Sequence, residues 1–174
     1  MFGSVENKVI LYLVDDDDLH LKILHGKLEA STNYELQTFR SGEDFLENIL
    51  RHPPPKKTYP IVLLDYYLKN RDNEDAKNGI EILKIIKEIN PGIEVIILSG
   101  LEDVDVATSA MHFGAKTFVR KNENSFTRIH SNIQWIISQK DLERKRKQSR
   151  TTRTLFFLLL AIVVVAAGLY FFPA

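Results

Sequence analysis

The sequence predicts a doubly wound α/β domain of five parallel strands and five helices, followed by a transmembrane helix. Three observations lead to this prediction. Short apolar runs alternate with stretches of helical periodicity through residues 1–139, acidic residues stand where several of these runs end, and residues 154–174 carry no charge. Because parallel strands need a crossover connection, strands that alternate with helices indicate a parallel sheet with helices on both faces.

Five segments have the length and the apolar character of β-strands. The first, Lys8–Val14, is apolar at every position after the lysine, which is typical of a strand covered on both faces. The other four segments follow at regular intervals along the chain. They are Tyr34–Phe39, Ile61–Asp65, Glu94–Ser99 and Thr117–Val119.

Helical spacing fills the intervals between these strands. Apolar residues recur at positions i, i+3 and i+4 in four groups. The groups are Leu19, Ile23, Leu24 and Leu28; Phe45, Leu46 and Ile49; Ile82, Leu83, Ile85, Ile86 and Ile89; and Val104, Ala107, Ala110 and Met111. A fifth helix is predicted from about Ser125. Ser41–Asp44 resembles a capping box with aspartate in place of glutamate, and Asn90–Gly92 predicts a helix end and a turn.

The charges are segregated along the chain. Its 174 residues contain 23 basic and 23 acidic side chains and no cysteine, which excludes a disulfide scaffold and a thiolate metal site. Residues 1–139 carry 21 acids and 16 bases, a net charge of −5, whereas residues 140–153 carry two acids and seven bases, a net charge of +5. The neutral total therefore combines an acidic domain with a basic segment.

Residues 154–174 are predicted to span a membrane once. As a helix, these 21 uncharged residues would reach about 31 Å, the thickness of a hydrocarbon core. The alternative is a buried core helix, which would need protein on all sides. The basic segment beside the span is expected to stay on the cytoplasmic side and to contact anionic lipid headgroups rather than nucleic acid.

We therefore expect a single-pass protein of the inner (cytoplasmic) membrane, with the domain of residues 1–139 in the cytoplasm. The segment Met1–Glu6 lacks the basic start of a signal peptide. A lone span close to the C-terminus predicts a tail anchor.

Polar residues stand at the predicted carboxyl ends of the strands, where open α/β sheets build their sites. They are Asp15–Asp18 after the first strand, Asp65 at the end of the third, Ser99 and Gly100 at the fourth, and Arg120 and Lys121 after the fifth. The last two aspartates of the first group are expected to cap the next helix. The remaining carboxylates, Asp15, Asp16 and Asp65, converge and so indicate a hard divalent cation. A purely structural ion pair between Asp65 and Lys121 is the alternative.

These motifs resemble the receiver domain of bacterial two-component response regulators. The resemblance covers about Lys8 to Gln139. It rests on four motifs that follow one another at strand ends: VDDDDLHL, IVLLDYYL, VIILSG and GAKTFVRK. It implies the flavodoxin-like form of the doubly wound fold, here in a stand-alone receiver with a C-terminal membrane anchor.

By this resemblance, Asp65 accepts a phosphoryl group from a phosphohistidine on a sensor histidine kinase or a histidine phosphotransfer protein. Mg²⁺ would be held by Asp16, Asp65 and the backbone carbonyl of Tyr67, with Asp15 reached through water. The domain would then be a phosphoacceptor in a phosphorelay and not an enzyme, apart from slow self-dephosphorylation.

The same resemblance assigns Lys121 and the Ser99 hydroxyl to the phosphoryl oxygens. Ser99 and Phe118 would form a switch that changes the face made by the fourth helix, the fifth strand and the fifth helix. That face would also serve a homodimer.

The sequence departs from the family pattern in three ways. Asn122 follows the lysine where the family usually has proline, and the loop Tyr66–Asn78 is several residues longer than the usual connection to Gly79. Tyr67 and Leu101 are bulky at positions that in the family flank the attacking water. A slowly hydrolysing acyl phosphate is therefore expected.

Two other functions stay open at this point. A haloacid dehalogenase-type phosphohydrolase loosely fits Asp15, Asp17, Ser99 and a downstream lysine, but it leaves Asp65 unused. A non-phosphorylated membrane scaffold has no reason to keep the complete set of site residues. After Gln139 no residues remain for a DNA-binding or enzymatic output domain, so the expected output is a protein contact, a phosphate sink or a conformational change held at the membrane.

The five histidines are expected to be ordinary surface or boundary residues of helices rather than phosphate carriers. They are His20, His25, His52, His112 and His130.

Overall fold

Strands and helices alternate along the whole described part of the chain. The computed structural model describes residues 8–68, 77–100 and 104–171, and within the last helix the side chains of residues 148, 150–156 and 158–171 lie outside this description. The elements are β1 (Lys8–Val14), α1 (Asp18–Ser31), β2 (Glu35–Phe39), α2 (Gly42–Arg51), β3 (Thr58–Asp65), α3 (Gly79–Ile89), β4 (Glu94–Ser99), α4 (Val104–His112), β5 (Thr117–Arg120) and α5 (Ser125–Phe171).

The five strands form one parallel sheet in the order β2-β1-β3-β4-β5. This order confirms the predicted five-stranded doubly wound fold with five helices. The strand order reverses between β1 and β3, which pair along their whole length from Lys8 opposite Thr58 to Val14 opposite Leu64. The carboxyl ends of β1 and β3 therefore lie side by side at the switch point of the sheet, where sites form in this fold class.

The central strands are buried on both faces, which explains their continuous apolar sequence. On one face, alternate residues of β1, β3 and β4 join α2 and α3 in a single core. The strand residues in this core are Ile10, Tyr12, Val14, Val62, Leu64, Val95 and Ile97. The intervening residues of β1 and β3 point to the other face and are buried as well; they are Leu11, Leu13, Ile61 and Leu63.

Strand β3 begins three residues earlier than the sequence predicts, at Thr58 instead of Ile61. The extension includes Pro60, a residue that is tolerated in a strand where its position needs no N–H donor. In the structure, β4 pairs with β3 only from Ile61 onward, so Pro60 has a strand neighbour on the β1 side alone. Its missing N–H therefore does not interrupt a ladder to β4.

Two helices begin at the N-cap residues that the sequence predicts, and a third begins with a capping box that was not predicted. Asp17 caps α1 and accepts hydrogen bonds from the backbone N–H groups of Leu19 and His20. Ser41 caps α2 as predicted. A complete capping box opens α3, since Asn78 accepts from the backbone of Glu81 and its own N–H donates to the Glu81 carboxylate. The sequence prediction missed this box because it lies at the end of the long loop.

Helix α5 runs for 47 residues. The chain forms two compact units, Met1–Gln134 and Trp135–Ala174, and each contains part of α5. Over the described residues, none of the helices combines the length and the apolar character that crossing a membrane requires. Almost all side chains of the predicted span, residues 154–174, lie outside the described residues, so the predicted span and domain boundaries stay predictions.

Candidate functional site

Three carboxylates meet where β1 and β3 end side by side. Asp15 and Asp16 directly follow β1, and Asp65 is the last residue of β3. One oxygen from each of the three lies within 4.8 Å of the others. Asp15 and Asp65 are 3% and 4% exposed, and Asp16 is half-buried. The structure therefore brings together the three carboxylates that the sequence singled out.

Lys121 brings a positive charge to this cluster from the segment after β5. Its Nζ lies 2.7 Å from Asp15 Oδ2 and 2.9 Å from Asp65 Oδ1. Its backbone N–H donates to the carbonyl of Ser99, which ties this segment to the end of β4. Burial lowers the pKa of Lys121, but the carboxylates of Asp65 and Asp15 outweigh that effect and raise it. The ion pair with Asp65 was predicted, whereas the ion pair with Asp15 was not.

Asp65 has an oxygen that its surroundings leave unsatisfied. Among the described residues, Asp65 Oδ1 is the one buried side-chain oxygen or nitrogen without a hydrogen-bond partner. Lys121 Nζ stands at ion-pair distance from this oxygen, 2.9 Å away. Burial raises the pKa of Asp65 to about 6; Lys121 opposes this rise, and Asp15 adds to it. A buried acceptor among carboxylates fits the donor set that a hard divalent cation needs.

Asp15, in contrast, uses both of its carboxylate oxygens. Its Oδ1 accepts the backbone N–H of Asp17 at 3.0 Å. Its Oδ2 lies 2.7 Å from Lys121 Nζ and 2.6 Å from His20 Nδ1. Burial raises the pKa of Asp15, but the hydrogen bond from His20 and the charge of Lys121 bring it below its ordinary value. Asp15 is therefore held as an anion, while burial and Asp15 itself raise the pKa of Asp16.

His20 is the site residue that sequence reasoning missed. It was expected to be an ordinary surface or boundary residue, but its ring contacts Asp15 and its side chain is only 23% exposed. With Asp17 as the cap, His20 stands at the third position of α1, from which a side chain reaches back over the start of the helix. The spacing of His20 from the aspartates was the signal that could have found it. The other four histidines are half-buried or exposed, as expected.

The main chain beside Asp65 is held by a close contact with the start of α3. A Cβ atom added to Gly79 would clash with the carbonyl oxygen of Asp65 and would lie 2.8 Å from the Cα atom of Tyr66. The Gly79 N–H donates to the carbonyl of Tyr66, whose own N–H donates to the carbonyl of Leu98. These contacts fix the main chain at Asp65 and Tyr66 between β4 and α3. They leave no room for a side chain at position 79.

The other predicted site residues lie on the expected elements. Ser99 is 1% exposed at the carboxyl end of β4, and Phe118 lies on β5, partly buried against the core. Tyr67 is 45% exposed and packs edge to face on Tyr66. Leu101, which with Tyr67 led to the prediction of slow acyl phosphate hydrolysis, lies outside the described residues. Positions 69–76 of the long loop lie outside them as well.

Known proteins are similar to this chain in both sequence and fold. Residues 11–134 match the response regulator receiver domain family. The transcriptional regulatory protein ZraR of Salmonella typhimurium is 30% identical over 117 residues, which make up 67% of this chain and 24% of that protein. The chain thus spans about a quarter of the length of the curated relatives it matches.

Two solved structures extend the likeness. The receiver domain protein of Clostridium thermocellum is 27% identical with a TM-score of 0.64, over 77% of this chain and 98% of that one. The beryllofluoride-activated NtrC4 receiver domain dimer is 25% identical with a TM-score of 0.62, over 75% of this chain and 97% of that one. The chain therefore belongs to the response regulator receiver domain family, whose members are signalling modules of two-component systems.

Proposed function

We propose that this chain is a phosphoryl-accepting receiver of a two-component phosphorelay and that Asp65 is the acceptor. The donor is a phosphohistidine on a sensor histidine kinase or a histidine phosphotransfer protein. The observation that carries the proposal is the unsatisfied Oδ1 of Asp65, which lies 2.9 Å from Lys121 where three carboxylates meet. A buried carboxylate oxygen that faces a lysine charge can act as the nucleophile, and the same charge can then stabilise the phosphoryl group.

The proposed transfer is a simple exchange of bonds at phosphorus. A carboxylate oxygen of Asp65 bonds to phosphorus while the phosphorus–nitrogen bond breaks. The imidazole keeps that electron pair and, protonated on its other nitrogen, leaves as a neutral ring. Lys121 is placed to neutralise a phosphoryl oxygen, and the Ser99 hydroxyl donates a hydrogen bond to another.

Mg²⁺ fits the acidic cluster. Three carboxylates and one lysine leave an excess of negative charge even before a phosphoryl group arrives. Asp16, Asp65 and the backbone carbonyl of Tyr67 would hold the ion, with Asp15 reached through water. When bound, it supplies neutralisation of the charge on the transferring group.

Phosphorylation is proposed to act through the face that α4, β5 and α5 form. Ser99 lies at the end of β4 and Phe118 on the neighbouring β5, so a pull on Ser99 acts beside the Phe118 ring. The same face is proposed for a homodimer. One relative, the activated NtrC4 receiver domain, is a dimer in its solved structure.

The segments after residue 139 are proposed to tether the receiver to the cytoplasmic membrane as a single-pass protein. The support is chemical. Seven basic residues in 140–153 precede an uncharged stretch, and α5 continues as one helix from the basic segment to Phe171. Tethering would raise the local concentration of the receiver around a membrane-bound kinase.

A phosphotransfer assay tests the function. The full chain is mixed with a kinase that carries ³²P on its histidine, with and without Mg²⁺. Wild type should take up hydroxylamine-sensitive label in the presence of Mg²⁺, and Asp65→Asn should take up none. Asp18→Asn, which changes an exposed aspartate paired with Arg40, is the matched control and should label like wild type. Full labelling of Asp65→Asn would contradict the proposal.

A further inference from the structure

The Lys121 ammonium group has two carboxylate partners in the structure. In the proposed function it must also bind a phosphoryl oxygen. Its Nζ is shared between Asp15 Oδ2 and Asp65 Oδ1. When Lys121 engages a phosphoryl oxygen, its hydrogen bond to Asp15 weakens. Asp15 is buried, and a buried carboxylate that loses its cation is costly unless another donor remains. A protein donor that stays on Asp15 would therefore ease the movement of Lys121 to the phosphoryl group, beside whatever charge the metal ion supplies.

We infer that His20 is this donor, a positioning residue that holds Asp15 while Lys121 moves to the phosphoryl group. This inference rests on the proposed function. His20 Nδ1 and Lys121 Nζ meet at the same oxygen, Asp15 Oδ2, at 2.6 Å and 2.7 Å. A carboxylate only accepts hydrogen bonds, so the ring must carry a proton on Nδ1.

Two donors on one oxygen compete, so the His20 bond strengthens when Lys121 leaves. Without His20, the backbone N–H of Asp17 would be the protein donor left to Asp15 beside the proposed metal-bound water, and Lys121 would be held more strongly on Asp15. Loss of the His20 donor should therefore weaken the phosphorylated state relative to the resting state. The expected size is that of one hydrogen bond to a charged group, which is about tenfold in a binding constant.

The experiment measures the binding of beryllofluoride, a phosphoryl analogue, to the full chain in the presence of Mg²⁺. Backbone amide NMR shifts follow the titration. His20→Leu removes the donor, whereas His20→Asn keeps an amide N–H close to the position of Nδ1. His25→Leu is the matched control, since His25 lies on the same helix and its ring faces Glu29.

We expect His20→Leu to bind beryllofluoride about tenfold more weakly than wild type. His20→Asn and His25→Leu should stay within about twofold, an allowance for context-dependent hydrogen-bond energies. Equal binding by His20→Leu and wild type, or equal losses in the leucine and asparagine variants, would overturn the role of His20. No binding by wild type would instead overturn the proposed function and this role with it.

A second measurement needs no variant. Imidazole nitrogen resonances of the wild-type protein should show that the His20 ring carries its proton on Nδ1 both before and after beryllofluoride is added. A ring protonated on Nε2 alone in either state would contradict the inference.

Discussion

At the scale of single residues, the site depends on two neighbouring buried carboxylates, those of Asp15 and Asp65, which have different hydrogen-bond partners. Asp15 has donors on both oxygens, and its pKa is lowered. Asp65 is equally buried, but one of its oxygens lacks a directed hydrogen bond, and its pKa is raised to about 6. The contrast separates the roles of the two residues, because both pair with Lys121 but only Asp15 is also held by His20 and the backbone N–H of Asp17.

The raised pKa of Asp65 predicts a pH-dependent gain in stability when this charge is removed. The folded state binds the proton more tightly than the unfolded chain, so this group stabilises the fold below about pH 3.8 and loses that contribution as the pH rises through about 6. Asparagine has nearly the same shape as protonated aspartate and is uncharged at every pH. Without divalent cations, Asp65→Asn should raise the free energy of unfolding by about 1 to 3 kcal/mol at pH 8 and by much less at pH 4.

Urea unfolding at both pH values measures this effect. Asp18→Asn, at an exposed site, serves as the reference and should change the free energy of unfolding little at either pH. A gain of equal size at pH 4 and pH 8, or a loss at pH 8, would show that ionisation of Asp65 does not strain the fold.

At the scale of elements, periodicity and cap chemistry were enough to predict the fold. Continuous apolar runs identified the buried strands, and the strand ends identified Asp15, Asp16 and Asp65. The errors arose where tertiary context decides. The third strand was predicted only from Ile61, whereas β3 pairs with β1 from Thr58 onward and with β4 from Ile61 onward. His20 was predicted to be an ordinary surface or boundary residue of a helix, but the start of α1 places its ring against Asp15.

The close approach of α3 to the end of β3 predicts an intolerant glycine. In Gly79→Ala the new methyl group would clash with the Asp65 carbonyl oxygen, so the main chain must shift. Overpacking of this kind costs about 1 to 3 kcal/mol, and it should slow phosphotransfer because it moves the main chain of Asp65. Thermal unfolding and initial rates of phosphorylation measure the two effects.

Gly26 offers the matched control for this substitution. It lies inside α1, and a Cβ atom there would meet nothing within 4 Å. Gly26→Ala should therefore stabilise the protein by about 0.5 to 1 kcal/mol through helix propensity and leave phosphotransfer unchanged. Similar effects of the two substitutions would contradict the role assigned to the Gly79 contact.

At the scale of the whole molecule, the neutral total charge divides into parts suited to different surroundings. The domain of residues 1–139 has a net charge of −5, the segment 140–153 has +5, and residues 154–174 have no charge. The structure describes the fold of the first part in detail, whereas the membrane role of the last part rests on its sequence. Its chemistry leads to a test that is independent of phosphorylation.

Arginines placed in the uncharged segment should release the chain from membranes. Each arginine near the centre of a span costs about 2.5 to 3.5 kcal/mol on insertion scales, so Leu160→Arg combined with Val164→Arg should abolish stable insertion. Alkaline carbonate extraction of membranes from expressing cells measures this. Wild type should stay in the pellet, and the double variant should move to the supernatant. Extraction of wild type would contradict the tether.

The position of the phosphoryl group tests the central claim most directly. The full chain is phosphorylated in the presence of Mg²⁺ and treated with borohydride, which reduces an aspartyl phosphate to homoserine. Mass spectrometry of the peptides then locates the reduced residue. We predict homoserine at position 65, in wild type but not in Asp65→Asn. Reduction at Asp15 or Asp16, or phosphate on His20 in place of Asp65, would contradict the assignment of Asp65 as the acceptor.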